Sequence, residues 1–142
     1  MPYRYGRTSQ QRLSTAHEYL QRLFVAVLED PECPCDVTIL CGHRTLEEQA
    51  ELYAQGRTKP GKIVTRAKPG QSRHNTFPSM AVDAAPYIAG DVSWDWDWYN
   101  KLAPHIKAVW GRLKAEGKVA GELEWLGDSK SFREGPHWQL NF

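Results

Sequence analysis

Between residues 9 and 29, apolar side chains recur at Leu13, Ala16, Leu20, Leu23, Phe24, Val27 and Leu28. That spacing keeps one face apolar and predicts a long amphipathic helix. Pro31 and Pro34 end it. Val37, Ile39 and Cys41 then alternate with polar neighbours, the period of a half-buried strand. A short helix is predicted over residues 46–55. Thr45 and Glu48 form a capping-box pattern before it, and Gly56 suits its C-terminal stop. Residues 56–72 are rich in Gly, Pro and Lys and read as a long loop, with a short strand at residues 63–64. Such a loop in a compact domain is either functional or disordered. Residues 80–85 read as a strand ended by Pro86, and Leu102, Ile106, Val109, Trp110 and Leu113 mark a second long helix over residues 102–113. Strands are predicted at residues 123–125 and 137–140. Helix, strand, short helix, strands, helix and strands in that order predict an α+β fold, a small antiparallel sheet with flanking helices.

The 142 residues suffice for one domain, taken as residues 1–142. A hydrophobic fraction of 41% and a charged fraction of 25% are those of a soluble globular chain. The formal net charge of +1 gives no overall bias toward nucleic acid or membrane. No apolar run reaches the ~18 residues that would cross a bilayer, so no stable membrane association is expected. The N-terminus lacks the apolar core of a secretory signal. Cys33, Cys35 and Cys41 are odd in number, which argues against a disulfide framework. Cys33 and Cys35 resemble half a metal site without its partner pair, and Cys41 reads as a small buried hydrophobe.

Candidate chemistry lies with His74 at the end of the long loop, Asp83 in the following strand and His137 at the start of the last. Strand alternation turns Asp83 away from Val82 and Ala84, and puts His137 on one face with Gln139 while Trp138 and Leu140 face the core. Two histidines and an aspartate are a suitable ligand set for a catalytic zinc, which needs three protein ligands and an open position. Spacing alone does not join them, because 63 residues separate His74 from His137. Taken alone, His74 and His137 each read more readily as packed or structural histidines than as ligands. His17 and His105 read as packing or surface residues on helices, and His43 as a structural residue of a strand-to-helix turn.

Between Glu51 and Asp83 there is no acidic residue, while Arg57, Lys59, Lys62, Arg66, Lys68 and Arg73 all occur. A groove of one sign concentrates an anionic ligand. A nucleic-acid partner is not expected, since no aromatic residues are interleaved for base stacking. The alternating Trp and Asp of residues 93–99 read chiefly as a helix approach that packs its rings on the core, with a sugar-gripping row as the alternative.

The segments SRHNTFPSMAVD and EGPHWQL resemble the signature of the D-Ala-D-Ala metallopeptidase and L-alanyl-D-glutamate endopeptidase family. Its pattern of Ser-x-His, Ala-x-Asp and a distant Pro-His is matched by Ser72, His74, Ala81, Asp83, Pro136 and His137. GHRTLEEQAELYAQGRT is similar to the phage-endolysin branch at Arg44, Gln49, Gly56, Arg57 and Thr58. The resemblance implies a hedgehog/DD-peptidase fold and a zinc ion held by His74, Asp83 and His137. It further implies that Glu134 takes a proton from the attacking water, with Asp128 as competitor. Arg44 is implied to bind a substrate carboxylate or stabilise an oxyanion, its alternative being a surface salt bridge to Glu47 or Glu48. Ser72 and Arg57 are implied substrate contacts, Ser72 alternatively capping the turn before His74. The separation of His74 from Asp83 is nine residues, against seven in many members, and WLGDS stands where the family has a Trp-Gly-Gly-Asp-Trp stretch.

The implied function is hydrolysis of the L-Ala-D-Glu bond of bacterial peptidoglycan by a monomeric endolysin. It would be made in the host cytoplasm and released to the wall by a holin. A D-Ala-D-Ala carboxypeptidase or dipeptidase, and a non-catalytic zinc-stabilised binding module, are the competing readings.

Overall fold

The computed structural model describes residues 3–142. In place of one helix over residues 9–29 it has two, α1 (Arg7–Leu13) and α2 (Glu18–Glu29). The apolar phase runs unbroken through the junction, so periodicity alone cannot show the break. Local side chains make it. Thr15 Oγ1 donates to the Arg12 carbonyl, and His17 Nδ1 accepts from the Tyr19 amide as the N-cap of α2. Side-chain bonds of this kind offer the backbone an alternative to the helix. The freed Ala16 bridges to Ser79, tying the junction to the segment before the site.

The strands are β1 (Asp36–Cys41), β2 (Ala81–Ile88), β3 (Asp91–Val92), β4 (Glu122–Trp125) and β5 (His137–Asn141). All pair antiparallel, in the order β1-β2-β5-β4, with β3 on β2. Pro86 was expected to end β2 but lies within it, opposite Val37. The Pro86 carbonyl accepts from Ser93, between the stretch of β2 that pairs β5 and the stretch that pairs β3. Proline's missing N–H costs no ladder bond in such a gap. α3 (Leu46–Ala54) has the expected capping box, Thr45 and Glu48 each bonding the other's amide. No strand forms at Ile63 and Val64, which are exposed in the loop. α4 (Trp96–Ala115) begins earlier than its apolar spacing suggests, because Asp95 caps it at the Asp97 amide.

One face of the sheet carries the core. Val37, Ile39, Val82, Ala84, Trp138 and Leu140 pack beneath Leu20, Leu23, Phe24 and Val27 of α2 and Leu102, Ile106 and Val109 of α4. Burying each large apolar side chain contributes about 1.5–3 kcal/mol. His105 fixes the helix pair through Nε2 at the Val27 carbonyl. Cys33 and Cys35 are buried free thiols. No helix among the described residues is long and apolar enough to cross a membrane.

Candidate active site

The other face of the sheet carries the polar residues that alternate with this core. Asp83 of β2 stands directly opposite His137 of β5, and Gln139 of β5 opposite Glu124 of β4. Cross-strand partners have Cβ atoms ~5 Å apart, so register alone brings together residues far apart in sequence. His74 arrives from outside the sheet, on a 3-10 turn (Arg73–Asn75). Ser72 caps that turn by accepting the His74 amide, and Met80 N donates to the Arg73 carbonyl. His74 itself is fully buried.

Three atoms converge there. His74 Nε2 lies 3.1 Å from Asp83 Oδ1 and 3.2 Å from His137 Nδ1, and His137 Nδ1 lies 3.3 Å from the same Asp83 oxygen. A tetrahedral ion at 2.0–2.1 Å from its ligands spaces them about 3.3 Å apart, so the triangle already has the dimensions of one face of a zinc site. The outer ring nitrogens support this. His74 Nδ1 is 2.7 Å from the Gly42 carbonyl, and His137 Nε2 is 2.9 Å from Gln139 Oε1. Both oxygens can only accept, so each ring carries its proton on the outside and turns a lone pair inward. Two lone pairs and a carboxylate oxygen then meet, an arrangement that calls for a proton or a cation. Burial disfavours an imidazolium at His74, yet the charge and hydrogen bond of Asp83 outweigh it and push His74 up to about 10. Burial likewise opposes ionised Asp83, but the two histidines hold its carboxyl well below the usual range.

Gln139 extends the network. Its Nε2 donates to Glu124 Oε1 at 3.1 Å, and Asn141 Nδ2 donates to the same oxygen at 3.0 Å. Gly42 supplies its carbonyl from a tight corner, where a Cβ would overlap the Arg12 carbonyl and the Thr15 hydroxyl. Cys41 is half-buried rather than a core hydrophobe, standing opposite Asp83 on β1 with its sulfur within 4.8 Å of ligand atoms of His74 and Asp83. Sequence reasoning missed this position. A register for β1 against β2 would have exposed it.

Asp83 and His137 of the triangle line a cleft of about 890 Å³, together with Arg44, Glu134 and Ser72. Arg44 pairs with neither Glu47 nor Glu48. Its guanidinium reaches Asp83 Oδ2 at 3.3 Å and Gln49 Oε1 at 2.9 Å. Gln49 is fully buried and passes its amide on to the Ala67 carbonyl at 2.7 Å, linking the long loop to Arg44. Glu134 is half-buried in the cleft wall, and that burial pushes its carboxyl above the usual range despite the nearby histidines. Asp128, its competitor, lines a separate hollow and is paired with Lys107 at 2.7 Å.

Arg57 is not brought to the cleft. It donates to the Tyr53 and Thr65 carbonyls, 2.7 and 3.1 Å away, with its guanidinium 3.8 Å from the Tyr53 ring centre. The tryptophans differ in burial. Trp96 is half-buried beside Trp125 under the Arg133 guanidinium and Trp94 is 64% exposed, and both line the cleft.

The chain is 40% identical over 106 residues to the peptidoglycan L-alanyl-D-glutamate endopeptidase CwlK of Bacillus subtilis. That match covers 74% of this chain and 60% of the relative, less than two thirds of its length. It is 30% identical over 123 residues to the L-alanyl-D-glutamate peptidase of Escherichia phage T5, covering 87% of this chain and 76% of that one. Its fold is similar to the crystal structure of the Serratia marcescens L-Ala D-Glu endopeptidase ChiX, with a TM-score of 0.71, 26% identity, and coverage of 98% of this chain and 91% of that one. Residues 1–140 match the family described as phage L-alanyl-D-glutamate peptidase, and the chain belongs to that family.

Proposed function

We propose that residues 1–142 form one peptidase domain of the hedgehog/DD-peptidase fold that hydrolyses the L-Ala-D-Glu bond of peptidoglycan. Zinc is held by His74, Asp83 and His137. The observation that carries this reading is the triangle of 3.1, 3.2 and 3.3 Å, whose members turn lone pairs inward. A zinc ion bound there supplies Lewis acidity that polarises a carbonyl and lowers the pKa of water. Glu134 removes the proton from the attacking water and returns it to the leaving nitrogen. A carboxyl raised above its usual range by burial suits both halves of that exchange. Arg44 holds Asp83 by its outer oxygen and keeps the ligand carboxylate oriented. Arg44 also lines the cleft, where its charge can meet developing negative charge. In the setting that phage relatives suggest, the protein acts on the wall after release from the host cytoplasm.

Digestion of purified peptidoglycan with zinc-loaded protein tests the reaction. New amino termini on D-Glu, with L-Ala left on muramic acid, are expected by mass spectrometry. Release of free D-Ala alone would replace this reading with a carboxypeptidase.

The position of Cys41 supports one second reading, in which its sulfur completes a closed four-ligand structural site. The thiol instead lies 3.6 Å from the Gly42 carbonyl and 3.9 Å from that of His43, contacts a protonated sulfur makes. Cys41→Ser is therefore expected to keep about one zinc per chain and near wild-type activity. Loss of zinc in that variant would favour the closed site.

A further inference from the structure

Four arginines line the cleft, namely Arg44, Arg66, Arg73 and Arg133, against the carboxylates of Asp83 and Glu134. Two of the four are already committed. Arg44 is bonded to Asp83 and Gln49. Arg133 donates to the Gly127 carbonyl at 2.9 Å and lies 3.9 Å from the Trp96 ring centre. Arg66 and Arg73 are exposed and have no hydrogen-bond or carboxylate partner among the described residues. The remaining cations of the basic loop go elsewhere. Arg57 is spent on carbonyls, Lys59 is paired with Glu51, and Lys62 and Lys68 do not line the cleft.

Both uncommitted guanidiniums line the cleft that Asp83, His137 and Glu134 also line. Arg73 immediately precedes His74. Arg66 is held 5.1 Å from the ring centre of Phe132, two residues before Glu134. An anionic group on a peptide seated in that cleft would meet both as unpaired positive charge. When D-Glu is joined onward through its γ-carboxyl, its α-carboxylate sits on the very carbon that bears the scissile nitrogen.

Building on the proposed activity, we infer that Arg66 and Arg73 form a carboxylate-reading subsite that favours a free α-carboxylate on the residue after the cleaved bond. A guanidinium fork matches a carboxylate and gains a charge-assisted bond from it. A carboxamide keeps one acceptor oxygen but loses the charge and turns an N–H donor toward the guanidinium donors in place of the second. The subsite thus makes the enzyme sensitive to whether the wall's D-Glu is amidated.

The test uses zinc-loaded protein and two synthetic peptides, acetyl-L-Ala-γ-D-Glu-L-Lys and its α-carboxamide counterpart. Wild type is expected to favour the carboxylate by about tenfold or more in kcat/KM, the effect of roughly one charge-assisted hydrogen bond. The double variant R66Q/R73Q is expected to bring that ratio close to one, mainly through KM and with unchanged zinc content, as for binding shared by ground and transition states. K62Q removes a loop charge outside the cleft and is expected to keep the wild-type ratio. Equal cleavage of both peptides by wild type would overturn the subsite and leave the activity standing. So would a preference that survives in R66Q/R73Q. Failure of wild type to cleave either peptide would overturn the activity and the subsite together.

Discussion

The two halves of the site are built differently. Asp83, His137 and Gln139 stand on the sheet, where register with β2, β4 and β5 puts them side by side. His74 and Glu134 stand on irregular segments, each placed by individual contacts: a cap at Ser72, a carbonyl at Gly42, and for Glu134 a backbone bond to Leu126. The sheet half is positioned by many cooperative bonds, so losing one side chain there leaves the frame intact. The loop half depends on bonds that can be cut one at a time.

The largest expected effect is shared by both halves and then separates them. His137→Ala and His74→Ala each remove one of three ligands, and both are expected to lose zinc and reduce wall digestion to background. Their metal-free stabilities should differ. His74→Ala also takes the 2.7 Å partner from the buried Gly42 carbonyl and leaves it only the weak Cys41 thiol contact at 3.6 Å, at a cost toward the lower end of about 1–3 kcal/mol, whereas β5 keeps its ladder without His137. Chemical denaturation in the presence of chelator measures the difference. Full zinc retention in both variants would remove these residues from the metal site.

Next in size is Glu134→Gln. Zinc content and fold are expected to persist while activity falls by ~10²–10⁴, the usual contribution of a positioned proton-transfer group. Turbidity loss of outer-membrane-stripped cells, measured beside zinc content, reads this directly. Wild-type lysis by Glu134→Gln would place the base elsewhere. The same variant carries a pH signature. Because burial raises the Glu134 carboxyl in the fold, its contribution to stability is full below the unfolded pKa and lost as pH rises through the folded one. Metal-free Glu134→Gln should therefore melt higher than wild type at neutral pH, with the gain vanishing below the ordinary carboxylate range.

The smallest expected effect lies in the sheet. Gln139→Leu removes the acceptor that holds the His137 proton outward, and is expected to weaken zinc binding about 10–100-fold. The swap Gln139→Glu with Glu124→Gln restores an acceptor for His137 and a donor–acceptor pair across β4 and β5, so it should recover most of that affinity. Competition with a chromophoric chelator measures both. A swap as weak as Gln139→Leu would show that packing, not hydrogen bonding, sets the affinity.

This contrast also explains what could be read from sequence. Alternation at Val82–Ala84 and at Trp138–Leu140 placed Asp83, His137 and Gln139 on the face away from the core before any register was known. The Thr45–Glu48 capping box and α3 were legible because their signals are local. The break between α1 and α2 was not, since Leu13, Ala16 and Leu20 keep one helical phase across it. The sharing of Asp83 by Arg44, the adjacency of Cys41 and the link from Gln49 to Ala67 were equally hidden. Each depends on which strand neighbours which, or on where a long loop lies, and no periodicity encodes that. Resemblance joined His74 to His137, and the structure supplied their distance.

The turn between His74 and Asp83 has one more consequence. Its base is pinned by Arg44 N at the His74 carbonyl, 2.8 Å, and Met80 N at the Arg73 carbonyl, 2.9 Å, while Thr76, Phe77 and Pro78 project into solvent, Phe77 by 72%. Chain length there is uncoupled from the ligands on either side, so the nine-residue spacing from His74 to Asp83 places no demand on their geometry. Such an exposed tip with fixed ends is where a domain accepts foreign sequence. For an engineer it is a grafting port, a place to splice a wall-anchoring peptide within a few residues of the cleft without moving the residues that do the chemistry.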